Sequence, residues 1–104
     1  MKPYLSETEA PSRADVDALP GLTLLEFGTD WCGHCRAAQG PVAEALAQQS
    51  QWQHLKVEDG PGRALGRSYR VKLWPTLLVL RDGQEVARVV RPTAGQDVLT
   101  ALLG

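Results

Sequence analysis

The only two cysteines of the chain, Cys32 and Cys35, stand three positions apart in Trp31-Cys32-Gly33-His34-Cys35. A structural disulfide in a secreted fold usually closes a longer loop and comes with companions, so a pair this close points to chemistry rather than architecture. Gly33 and His34 supply enough turn for one sulfur to approach the other, so a disulfide could open and close there with little backbone movement. If a helix begins near Cys32, that sulfur faces free backbone N–H groups and the positive end of the helix dipole. Such settings lower a cysteine pKa from about 8.5 into the range of roughly 3.5–7.5, and the thiolate is the nucleophile. The chemistry implied is reversible dithiol–disulfide exchange.

Two nearby groups bear on the pair. A charge on His34 would favour the Cys32 thiolate and make the disulfide a stronger oxidant; the plainer alternative is a solvated loop residue. Glu26 interrupts the apolar run Leu22-Thr23-Leu24-Leu25-Glu26-Phe27. A carboxylate there is poorly solvated, so its pKa is expected to rise, which suits a proton shuttle for a buried Cys35. The alternative for Glu26 is an edge position facing water. A zinc site is disfavoured, because only His34 and His54 could complete four ligands and His34 lies inside the short loop. A c-type haem needs His directly after the second Cys, where Arg36 stands. His54 reads as a surface or strand-edge residue, and no cofactor or metal is expected.

The elements that position these groups follow from periodicity. Ser12-Arg13-Ala14-Asp15 has the cap and acidic third position of a helix start, and Leu19-Pro20-Gly21 stops it, which predicts a helix over 12–19. Leu22 to Phe27 reads as a strand covered on both faces. Ala37 to Gln49 is helical, with Ala38, Val42, Ala45, Leu46 and Gln49 at three- and four-residue spacings and a kink expected at Pro41. Strands are predicted over 52–57, 76–80 and 85–90, the last two joined by the Asp82-Gly83 hairpin turn. Residues 61–69 form a short helix or loop, and 95–103 a closing helix. Alternation first and a hairpin last imply one mixed sheet with helices on both faces, a three-layer α/β/α sandwich.

Composition agrees with a single domain spanning residues 1–104: 43% of the residues are hydrophobic and 22% charged, enough apolar material for a core without staples. With 11 basic and 12 acidic residues mixed along the chain, no basic stripe offers itself to nucleic acid. Apolar runs such as Leu77-Leu78-Val79-Leu80 fall far short of the roughly 20 residues that span a bilayer. Glu7 arrives before any apolar stretch, so a cytoplasmic protein is expected, or a periplasmic one had a leader been removed. A monomer is expected.

From about Leu22 onward the chain resembles the thioredoxin family. The resemblance rests on Glu26-Phe27, Trp31-Cys32-Gly33-His34-Cys35, Lys56-Val57-Glu58, Trp74-Pro75-Thr76, Asp82-Gly83 and the closing helix. It implies the thioredoxin fold, with Cys32 as the attacking and Cys35 as the resolving cysteine. It further implies a cis-proline at Pro75 beside the pair and a supporting lysine at Lys56 near the buried acid. A client protein would dock as an extended strand against Trp74, Pro75 and Thr76, with Trp31 and Gly33 bordering it. Departures are visible. Gly33-His34 and Glu26 are similar to those of protein disulfide isomerase domains, and Gly28 stands where many thioredoxins carry Trp. Pro41 falls one residue late, Trp74 is larger than the usual Ile or Val, and Arg91 or Val90 replaces a glycine beside the docking groove.

The expected activity is therefore reduction of client disulfides, with a thioredoxin-reductase-like electron donor. An oxidase or isomerase remains an alternative, supported by His34. So does an adaptor that binds a partner through Trp31 and Trp74 without turnover.

Overall fold

The computed structural model describes residues 2–104. Four strands form one sheet in the order β2-β1-β3-β4, where β1 is Leu22–Gly28, β2 Gln53–Glu58, β3 Thr76–Arg81 and β4 Gln84–Val90. β1 pairs parallel with β2 and antiparallel with β3, and β3 pairs antiparallel with β4. The predicted mixed sheet is therefore present. Four helices cover it: α1 (Arg13–Asp17), α2 (Gly33–Ala47), α3 (Ala64–Ser68) and α4 (Gly95–Leu103).

Strand alternation sorts the core into two halves, because successive side chains leave a strand on opposite faces. One face carries Leu25, Phe27, Val57, Leu78 and Leu80, packed with Val16 of α1, Leu65 of α3 and Tyr69. The other carries Leu24, Leu77 and Val79, packed with Val42 and Ala45 of α2, Trp52, and Val98 and Leu102 of α4. Each such side chain contributes about 1.5–3 kcal/mol on burial. Truncating a central one such as Leu78 to Ala would cost about 2–5 kcal/mol. The sandwich has the three layers that the element order implies.

Local chemistry explains the boundaries. Ser12 accepts from the Asp15 N–H while the Asp15 carboxylate accepts from the Ser12 N–H, the reciprocal cap expected of that motif. α1 nevertheless ends at Asp17, two residues short of the predicted stop, with Ala18 as its C-cap. α2 begins at Gly33, four residues before the predicted helix-rich stretch, and continues through Pro41 to Ala47 without a break. The β3–β4 turn uses Asp82 and Gly83 at φ 52° and 80°, the left-handed pair that a two-residue hairpin with right-handed strand twist requires. Beyond β2, Leu5 pairs parallel with Val57, so the N-terminal segment runs on along that edge of the sheet.

Candidate active site

Cys32 is the N-cap of α2. Its backbone is extended (φ −77°, ψ 125°) and its sulfur accepts from the Cys35 N–H at 3.4 Å. A thiolate here does what a Ser or Asp cap does elsewhere: it satisfies a helix N–H that has no carbonyl partner. Partial burial pushes the Cys32 pKa up, but it is outweighed. The Cys35 thiol, the backbone N–H groups of Cys35 and His34, and the positive charge of Arg91 together hold it below its ordinary value. His34 is exposed, and its contribution to Cys32 comes from its backbone N–H.

Cys35 sits one helical turn inside, fully buried. Burial pushes its thiol up to about 11; the neighbouring Cys32 adds to the rise, while the Thr29 N–H and the Tyr4 hydroxyl oppose it. Two sulfurs three residues apart therefore ionise in opposite directions from a free cysteine. One is a half-exposed nucleophile and the other a protected thiol held in reserve.

Glu26 is fully buried in the central strand, which excludes the water-facing alternative. The expectation that its pKa is raised is overturned. Burial alone would raise it, but hydrogen bonds with His54, Tyr4 and Gln39 bring the carboxylate below the ordinary value. His54 Nε2 lies 2.8 Å from Oε1 and Gln39 Nε2 3.1 Å from Oε2, and the Tyr4 hydroxyl donates to Oε2. Lys56, the cross-strand partner of Glu26 in the β1–β2 register, is 1% exposed. Its ammonium donates to Gln39 Oε1 at 2.9 Å and to the Lys2 carbonyl, so it joins the carboxylate network through Gln39. Burial lowers the Lys56 pKa, and the Glu26 charge works against that fall.

The rim around Cys32 is aromatic. Trp31 is 73% exposed, and its ring meets that of Trp74 edge-on, centroids 5.9 Å apart and planes at 82°. Trp74 is held by its indole N–H, which donates to Asp59 Oδ2 at 2.9 Å. The Trp74–Pro75 peptide is cis, as the resemblance implies. Arg91 braces this loop: its Nε donates to the Trp74 carbonyl at 2.8 Å and its N–H to the Pro75 carbonyl at 3.0 Å. Arg91 holds φ at 52°, a left-handed conformation that favours glycine. Gly33 is exposed, with open space where a β-carbon would stand. Thr76 differs from its expected part in docking: it is 2% exposed and its hydroxyl donates to the Leu73 carbonyl at 2.6 Å, so that side chain supports the loop.

The structure thus gathers Cys32, Cys35, Trp31, Trp74, Pro75 and Glu26 as the sequence implies, and places Lys56 beneath them. Four residues are additions: Tyr4, Gln39, His54 and Arg91. Of these only Arg91 carried a sequence signal, as an odd residue beside the groove; His54 lies on the edge strand β2 and is part-exposed, as expected, and in addition joins the Glu26 network.

Comparison with known proteins agrees with this geometry. The family model described as thioredoxin matches residues 5–103. The thioredoxin of Chlamydia pneumoniae is 38% identical over 71 residues, covering 67% of this chain and 69% of that protein. Thioredoxin 1 of Synechococcus elongatus is 36% identical over 85 residues, covering 80% and 78%. The structure of thioredoxin 2 from Pseudomonas aeruginosa PAO1 in its reduced form superposes with a TM-score of 0.85 at 58% identity, covering 96% of this chain and 91% of that one.

Proposed function

This chain belongs to the thioredoxin family and is a thiol–disulfide oxidoreductase, and from that premise we propose that Cys32 attacks, Cys35 resolves, and the working direction is reduction of protein disulfides. The observation that carries the assignment of roles is the opposed setting of the two thiols, Cys32 part-exposed as the N-cap of α2 and Cys35 fully buried beneath it, which lowers the pKa of the first and raises that of the second. The Cys32 thiolate attacks one sulfur of a client disulfide and a mixed disulfide forms. Cys35 then loses its proton towards the Glu26 network and attacks Cys32. The client leaves reduced and the Cys32–Cys35 disulfide remains, to be reduced in turn by a thioredoxin-reductase-like donor. The exposed Trp31 ring against Trp74 supports an apolar patch on which an extended client segment lies beside Pro75.

The exposed His34 in the Cys-Gly-His-Cys sequence supports a second reading, in which the same exchange runs towards oxidation or isomerisation. Equilibration against glutathione buffers separates the two. A potential close to the thioredoxin value of about −270 mV supports the reductive direction, and one near the isomerase value of about −180 mV overturns it. Insulin reduction by dithiothreitol, with Cys32→Ser as control, tests turnover itself. The wild-type chain accelerates precipitation and the variant does not; an equal rate with both would leave only an adaptor.

A further inference from the structure

Tyr4 lies outside every motif that pointed to the site, yet its hydroxyl reaches the site's floor. The Leu5 N–H donates to the Lys56 carbonyl at 2.8 Å and the Glu58 N–H to the Leu5 carbonyl at 2.9 Å, which ties the N-terminal segment along β2. The Tyr4 N–H donates to Asp30 Oδ1 at 3.3 Å, and the residue is 6% exposed. Its ring lies under the Lys56 ammonium, 4.3 Å from Nζ to the centroid. The hydroxyl donates to Glu26 Oε2. A β-carbon at Gly28 would stand 2.5 Å from Cys35 Sγ and 2.7 Å from the Tyr4 oxygen, so sulfur and hydroxyl converge on the space that glycine leaves open. The departure at Gly28 and the presence of Tyr4 are thus one feature: a larger residue at 28 would displace the phenol from the thiol.

The other Glu26 oxygen leads outward. His54 Nε2 is 2.8 Å from Oε1, and its side chain is 17% exposed in a surface depression that Lys2, Gly40, Ala43 and Leu46 also line. Cys35, Tyr4, Glu26 and His54 therefore lie in series from a buried thiol to a part-exposed imidazole.

We propose that Tyr4 is a further catalytic residue, whose hydroxyl passes the Cys35 proton to Glu26, and that His54 carries it from there to solvent. The proposal rests on the resolving role given to Cys35 above. In the mixed disulfide, the Cys35 thiol gives its proton to the Tyr4 oxygen as the Tyr4 hydroxyl gives its own to Glu26 Oε2. The electron pair left on Cys35 forms the bond to Cys32 sulfur. The bond between Cys32 and the client breaks with its pair on the client sulfur, which leaves as thiolate. The client is reduced by two electrons and the cysteine pair is oxidised by two; Glu26 gives its proton to Nε2 of His54, in the tautomer that leaves that nitrogen free, and the Nδ1 proton leaves to water.

Charge sets the starting protonation states. Glu26 is held ionised by its donors, ready to accept, and burial beside the Glu26 charge keeps Tyr4 protonated. In the free reduced protein Cys32 raises the Cys35 pKa; in the mixed disulfide that sulfur is neutral, and the backbone hydrogen bond from Thr29 still opposes the rise. The other charged groups facing this series are Lys56 of β2, Lys2 of the N-terminal segment and Asp30 after β1.

Stopped-flow reaction with the disulfide of thionitrobenzoate tests this, because thionitrobenzoate is released once when Cys32 attacks and again when Cys35 resolves. In Tyr4→Phe the first phase keeps its rate, and the second slows by about 10²-fold at neutral pH. The deficit closes as pH approaches the Cys35 ionisation near 11. In His54→Asn the second phase is also slower and added imidazole restores it. A second phase in Tyr4→Phe at the wild-type rate across the pH range overturns the relay and leaves the oxidoreductase reading intact. A wild-type protein without two phases overturns that reading instead. Should Tyr4→Phe fail to fold, 3-fluorotyrosine at position 4 keeps the shape and lowers the phenol pKa; a second phase whose pH profile does not move then counts against the relay.

Discussion

The rim and the floor of the site solve opposite problems with the same residue type. At the rim, Cys32 is half-exposed at a helix head, next to an open tryptophan and a cation, and its hydrogen bonds and that cation outweigh partial burial to favour the anion. At the floor, Cys35 is sealed from water, and its neighbours hold the proton until the sulfur above has been consumed. Spacing brings the two sulfurs together, but surroundings divide the labour. The rim could be built by a loop and a helix end. The floor needs donors from four separate stretches of chain, and it is the more fragile of the two.

The largest effect comes from removing the reserve sulfur. Cys35→Ser should keep the Cys32 attack yet abolish turnover, leaving a mixed disulfide with client that mass spectrometry detects; continued turnover would mean that the floor plays no chemical part. Next is Gly28→Ala, whose β-carbon would stand 2.5 Å from Cys35 Sγ. It should cost about 1–3 kcal/mol in urea unfolding and slow resolution while sparing Cys32 attack. A variant of unchanged stability would show that the floor is not tightly packed.

Smaller again is the pH dependence of stability conferred by Glu26. Its folded pKa lies below 4.5, so its carboxylate contributes stability that is fully present above that value and lost as pH falls through the folded pKa. Glu26→Gln should therefore flatten the fall of the urea midpoint between about pH 4.5 and the acid limit. An acid limb as steep as that of the wild type would show that the floor's donors do not hold the charge. The smallest effect belongs to the rim. Arg91→Gly removes a cation and relieves a left-handed backbone, so Cys32 alkylation should move to slightly higher pH while stability changes by less than about 1 kcal/mol.

The same division decides what could be read from the sequence. Most of the rim lies in two contiguous stretches: the spacing within 31–35 revealed the first, with Cys32 at a helix head, and the family resemblance implied the second, 74–76. The mixed sheet followed from the alternation of elements and the Asp82-Gly83 turn, while the strand order did not. The floor is assembled across long separations: Tyr4 to Glu26 spans 22 residues, His54 to Glu26 28 and Lys56 to Gln39 17. No periodicity links such positions. The register that sets Lys56 opposite Glu26 brings them together, and only pairing the strands supplies it. Burial of Glu26 was legible from its apolar strand, but the direction of its pKa was not, because burial and hydrogen bonding act in opposite senses and the donors come from elsewhere in the chain. His54 had the look of a lone surface histidine for the same reason. The early end of α1 is a simpler matter, since its Ser12 cap is local and its end has no comparable signal.

The division of labour between the two thiols is tested most directly by NMR titration of the reduced protein with ¹³Cβ-labelled cysteine. Cys32 should titrate below the ordinary thiol range and Cys35 near 11, as two separate curves. Two curves that coincide near the free-cysteine value of about 8.5, or that appear in reversed order, would contradict it.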